Sequence, residues 1–186
     1  MWLESEVLDM TAQKMIFYGL LIFALIALIF FIGYRRNTMR SKESIINFSQ
    51  LTEHENFEDI TLTIYYLNPF ALTYAPLSVE GLMNGGYEHR IVIGSSDLML
   101  YIDLFIQIGD IELISVEQES PVNARLYYKF ENNLKNETFS VAMWGRNDSM
   151  FVNGLEVEEE SIFYDVIMPF LPEHIAQELQ AWIDRN

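Results

Sequence analysis

Residues 124–157 read ARLYYKFENNLKNETFSVAMWGRNDSMFVNGLEV, and the fold class turns on this stretch. Ala124, Leu126, Tyr128 and Phe130 alternate with Arg125, Tyr127, Lys129 and Glu131. Successive side chains of a strand point to opposite faces, so one apolar set at a period of two marks a half-buried antiparallel strand. Thr138 to Trp144 alternates as well, with Phe139, Val141 and Met143 together. The polar residues 132–137 between the two runs read as a hairpin loop. Met150-Phe151-Val152 and Leu155-Glu156-Val157 then flank Asn153-Gly154. A two-residue type I′ turn needs positive φ at both central positions, which Asn and Gly reach at low cost. The second half of the chain therefore predicts a meander.

Upstream, Ile60 to Tyr66 is rich in β-branched and aromatic residues and reads as a strand. Tyr87 to Ile93 follows a Gly85-Gly86 turn, and Ile111 to Val116 follows Gly109-Asp110; both read as further strands. Between them Ser95 or Ser96 can cap a helix through Ile106, ended by Gly109, with Leu98, Ile102, Phe105 and Ile106 on one face. Downstream, Ile162, Phe163, Val166 and Ile167 form a helical stripe before Pro169. Pro172 then starts a last helix, Glu173 to Ile183, with Ile175, Leu179, Trp182 and Ile183 in register. Strands and helices do not alternate regularly. The prediction is α+β: a small domain with an antiparallel sheet and about three helices.

The N-terminal part is different. Residues 15–34, MIFYGLLIFALIALIFFIGY, carry no charge over 20 residues. At about 1.5 Å per residue this helix matches a hydrocarbon core roughly 30 Å thick. A cleaved signal peptide would have a basic start and a small-residue cleavage site. Here Glu4, Glu6 and Asp9 precede the run against Lys14 alone, and Arg35-Arg36 follow it directly. The reading is an uncleaved, single-pass signal-anchor. Arg35, Arg36, Arg40 and Lys42 set the topology, because basic flanks stay cytoplasmic. The N-terminus is then outside and the soluble domain inside, with the opposite topology as the alternative. The organisation expected is an acidic tail at 1–14, a transmembrane helix at 15–34, a basic collar and tether at 35–55, and a soluble α+β domain at 56–186.

Charge narrows the function classes. The 186 residues hold 11 Lys+Arg against 27 Asp+Glu, net −16. Residues 43–186 hold 24 of the acids and 6 of the bases, net −18. Such a domain lacks the basic footprint that phosphate backbones require, so nucleic acid is not an expected partner. The expected partners are the bilayer, through residues 15–34, and a protein with a basic surface. With no cysteine, thiolate zinc sites, disulfides and cysteine nucleophiles are excluded.

Chemistry-bearing motifs are sparse. Gly81, Gly85, Gly86 and Gly94 make neither a Walker A loop nor a dinucleotide fingerprint. His54, His89 and His174 have no second histidine at metal-ligand spacing. Gly94-Ser95-Ser96-Asp97-Leu98 sits between strand and helix but lacks the second glycine of a nucleophile elbow. Glu156, Glu158, Glu159 and Glu160 are the densest carboxylate cluster, and a helix N-terminus beside them accounts for it. No catalytic, metal or cofactor-binding residue is assigned, and no cofactor is expected.

One segment does invite a binding role. Residues 67–77, LNPFALTYAPL, combine two prolines with large apolar side chains. Phe70 and Tyr74 are the candidate partner-binding residues, because aromatics on loops recur in recognition surfaces. The functional expectation is a membrane-anchored, non-enzymatic interaction, regulatory or accessory module. The alternatives are a membrane-anchored enzyme with a carboxylate or serine site, or an extracytoplasmic ligand-binding sensor.

Overall fold

A computed structural model describes residues 18, 20–28, 33, 59–116, 120–132, 136–145 and 148–185. The chain divides into two compact units, Met1–Met39 and Arg40–Asn186. In the first, residues 20–28 are helical and Leu20, Ile22 and Phe23 are exposed. Among the described residues no helix is long and apolar enough to cross a membrane. Much of the 15–34 stretch, and all of the tail and the collar, lie outside the described residues.

The second unit is built on six antiparallel strands: β1 (Thr61–Tyr66), β2 (His89–Ile93), β3 (Leu126–Glu131), β4 (Glu137–Met143), β5 (Met150–Val152) and β6 (Leu155–Val157), in the order β2-β1-β3-β4-β5-β6. From β3 onward each strand pairs with its successor, which is the meander the alternation implies. β1 lies between β2 and β3, with Ile64 opposite Ile91 on one side and Tyr128 on the other. Short helices follow β2: α1 (Ser95–Leu98) and α2 (Ile102–Gln107), with a 3-10 turn, Met99–Tyr101, between them. Two more close the chain, α3 (Ile162–Asp165) and α4 (Glu173–Ile183). The fold is α+β.

The alternation explains the main core. Leu62, Ile64 and Tyr66 of β1, Leu126, Tyr128 and Phe130 of β3 and Phe139, Val141 and Met143 of β4 all point to one face. That face is covered by Leu98, Phe105, Phe163, Val166, Ile175 and Leu179 from the helices. The opposite face is not left bare. Tyr65, Tyr127 and Ala142 form a second cluster with Leu67, Leu82 and Ala124, under the segment between β1 and β2. Tyr127 and Arg125 are therefore buried, where simple alternation puts them at solvent.

Three local expectations change. Ile111–Val116 is not a strand: it makes one isolated bridge, Ser115 to Val157, because it meets β6 only at that strand's last residue. Neither Ser95 nor Ser96 caps the first helix; Gly94 holds the N-cap position and Ser95 is the first helical residue. The helix expected through Ile106 is interrupted at Tyr101 (φ −124°, ψ 22°), whose ring packs edge-on against Phe170 at 5.1 Å.

Candidate functional site

Loop 67–77 is held at both ends. Leu67 N–H donates to the Arg125 carbonyl, and Ala124 N–H donates to the Leu77 carbonyl, each at 2.7 Å. Leu77 N–H also donates to Asn123 Oδ1 at 3.1 Å. The Asn68 side chain starts the loop: its Oδ1 accepts from Phe70 N–H at 2.8 Å, an Asx turn ahead of which Pro69 could donate nothing. Between these ties Pro69 is buried and Ala71 packs on the second cluster, while the tip turns outward. Leu72 and Tyr74 are fully exposed, and Phe70 is 38% exposed.

The standing loop encloses one side of an open cavity of about 500 Å³. Its walls are residues 69–76, Asn123 and Arg125 before β3, and Trp182 near the end of α4. Phe70 meets Trp182 edge-on at 5.4 Å, and the Arg185 guanidinium lies over the Phe70 ring, 4.6 Å from its centroid. Both nominated aromatics, Phe70 and Tyr74, line this cavity.

Arg125 is the unusual member. It is 6% exposed. Its Nη2 donates to Thr73 Oγ1 at 2.7 Å and, at a long 3.4 Å, to the Ala71 carbonyl. Its Nη1 is buried and has no acceptor among the described residues. Burial pushes the guanidinium below its ordinary pKa range. The Trp182 indole N–H is likewise buried without an acceptor. Buried donors left unpaired cost about 1–3 kcal/mol each, more when charged, so two on one wall is a specific feature.

The carboxylate cluster does not converge. Glu156 is buried and accepts from Ser120 N–H, Ser120 Oγ and Ser149 Oγ. Gly145 fits beside it because a Cβ there would meet Ser149, Glu156 and Ser120. Glu159 accepts instead from the Tyr164 hydroxyl, which itself accepts from Trp144 Nε1 at 2.7 Å. These acids tie loops and helix together. The structure also brings together two histidines that the sequence keeps apart: His89, opening β2, and His174, in the first turn of α4, have ring centroids 5.5 Å apart. Among the described residues no three His, Asp or Glu side chains could jointly hold a metal ion. Arg35, Arg36, Arg40 and Lys42 lie outside the described residues.

The sequence marks loop 67–77 but not its counterpart. Arg125 reads as an outward strand position, and nothing in its neighbours signals that the loop folds over it. Trp182 reads only as part of the α4 stripe. No protein-family model, curated protein or solved structure matches this chain.

Proposed function

We propose that the chain is a single-pass membrane protein whose acidic domain is a non-enzymatic interaction module, and that the loop around Phe70 and Tyr74 is its contact surface. Residues 15–34 form the span on length and hydropathy. Arg35, Arg36, Arg40 and Lys42 hold the following domain on the cytoplasmic side.

The observation that carries the contact surface is the loop itself. Phe70, Leu72 and Tyr74 stand to solvent together, beside a cavity, on a segment fixed at both ends. Exposed large side chains clustered on one preorganised loop suit protein recognition, where aromatic anchors carry most of the energy. A domain at net −18 is steered toward a basic partner. The cavity also favours a second reading, a ligand-binding sensor; this one lies outside the cell if the topology is reversed.

The test has two parts. A reporter fused after Asn186 should be active only in its cytoplasmic form, and Arg35, Arg36 and Arg40 changed to Glu should weaken or invert that result. Capture of detergent-solubilised complexes through the C-terminus should recover one specific protein. Phe70→Ala with Tyr74→Ala should lower that recovery roughly tenfold or more while leaving the melting temperature within a few degrees. Recovery that ignores both changes removes the loop from the interface. An externally active reporter moves the domain outside.

A further inference from the structure

We infer that the cavity behind loop 67–77 is a carboxylate-binding site, with Arg125 as the anion receptor and the loop aromatics as the seat for an apolar body attached to it. The inference rests on the same loop being the binding surface, and it names the chemistry that the loop accepts.

The argument begins with donors. The cavity wall carries the Arg125 guanidinium, whose Nη1 is buried and unpaired among the described residues, and the Trp182 indole, whose N–H is in the same condition. Neither finds an acid, although acids outnumber bases four to one across residues 43–186. The ion pair formed among the described residues, Lys129 with Glu131, leaves Arg125 out. Among the described residues the guanidinium's acceptors are Thr73 and Ala71, two neutral groups on the exposed loop. The contact to the Ala71 carbonyl is 3.4 Å long, so it is the easy one to exchange.

A carboxylate completes this geometry better than any other simple group. Its two oxygens take Nη2 and, once the Ala71 carbonyl gives way, the covered Nη1 as a fork, replacing the weak Ala71 contact. Charge-assisted bonds of this kind are about twice as strong as the neutral ones they replace. The surrounding wall is apolar: Pro69, Phe70, Leu72, Tyr74 and Pro76. The ligand is therefore an amphiphile with one carboxylate and one aromatic or aliphatic body. Arg185, over Phe70, puts a second positive charge beside the same loop. Two of the six bases after residue 42 thus gather at one loop of a strongly acidic domain. The same group can be a free small carboxylic acid or the C-terminus of a polypeptide ending in a large apolar residue.

The experiment uses the full chain in detergent micelles and follows the indole N–H signals of its three tryptophans by NMR. Trp182→Phe identifies the signal of Trp182 by its loss. One arm titrates 3-phenylpropionate against 3-phenylpropionamide, which keeps the body and removes the charge. The other titrates a short peptide ending in Phe-COO⁻ against its C-terminal amide. The carboxylate should shift the Trp182 signal and bind at least tenfold more tightly than the amide in one arm or the other. Arg125→Gln should abolish that preference, and Trp182→Phe, followed at the indole signal of the adjacent Trp144, should reduce it. Equal binding of acid and amide, no binding of any probe, or an undiminished preference in both variants would each overturn the inference. If Arg125→Gln fails to fold, the acid–amide ratio of the native chain and of Trp182→Phe decides alone. A preference seen with the small acid but not the peptide upholds the site and sinks the protein-contact reading. Capture that depends on Phe70 and Tyr74 without any acid preference does the reverse.

Discussion

Gly154 has φ +81° and Asn153 φ +49°, and together they close the hairpin between Val152 and Leu155. Both values are positive, as the type I′ turn needs. Asn153 is pinned further, because its N–H donates to the Ser140 carbonyl and its Oδ1 accepts from Ser140 N–H, both at 2.8 Å. A Cβ on Gly154 would meet nothing within 4 Å, so its replacement isolates the backbone cost from any clash. Gly154→Val should lower stability by about 1–3 kcal/mol, read as an earlier urea midpoint with an unchanged slope. An unmoved midpoint would show that the turn tolerates a β-branched residue in the left-handed region. Buried charges in the same domain are handled in two ways. Glu156 has three donors around it and is complete; Arg125 has a terminal nitrogen still unspent. That contrast is why the acid reads as structural and the base as a receptor.

The elements are held to the sheet by buried phenols. Tyr66 of β1 donates its hydroxyl to Glu178 of α4 at 2.8 Å, Tyr128 of β3 donates to the Phe163 carbonyl at 3.0 Å, and Tyr164 of α3 donates to Glu159. Burial first, then the neighbouring carboxylates at Tyr66 and Tyr164, pushes these hydroxyls well above the ordinary tyrosine range. For an acid with a raised folded pKa the folded state keeps its proton longer than the unfolded chain. The contribution is therefore complete below pH of about 10 and is lost as pH rises beyond it, at roughly 1.4 kcal/mol per pH unit for each phenol. Urea midpoints should be flat in their tyrosine contribution near neutrality and fall steeply between about pH 10 and 11.5, and Tyr66→Phe should make that fall shallower. A Tyr66→Phe profile parallel to the native one would sink the assignment. The sequence carries much of this architecture because β3, β4 and the Asn-Gly hairpin are decided by near-neighbour alternation and α4 by Pro172 and its stripe. It misleads where a distant partner decides. Ile111–Val116 has strand composition, yet it meets β6 only at the last residue of that strand. Arg125 reads from alternation as an outward strand position but sits just before β3, and the loop that buries it starts more than fifty residues earlier. Phe70 and Tyr74 could be nominated from composition alone; the receptor behind them required the folded chain.

Charge organises the molecule as a whole. Residues 43–186 carry net −18, and the ion pair among the described residues joins Lys129 and Glu131, two positions apart on β3. Surface attraction therefore contributes little, while unscreened repulsion between carboxylates works against the compact state. Among the described residues, both of its apolar clusters are made of residues from Ile60 onward. Residues 43–186 expressed without residues 1–42 should thus fold in plain buffer, monodisperse and with one cooperative melt. Salt then separates two effects that the same charge produces. Raising it from about 20 to 300 mM shortens the screening length from roughly 20 Å to below 8 Å. Self-repulsion weakens, so the melting temperature should rise; attraction to a basic partner weakens too, so association should slow over the same interval. A melting temperature that falls with salt would mean that favourable ion pairs dominate the acidic surface, and aggregation of the isolated fragment would mean that its exposed apolar loop needs the rest of the chain to keep it covered.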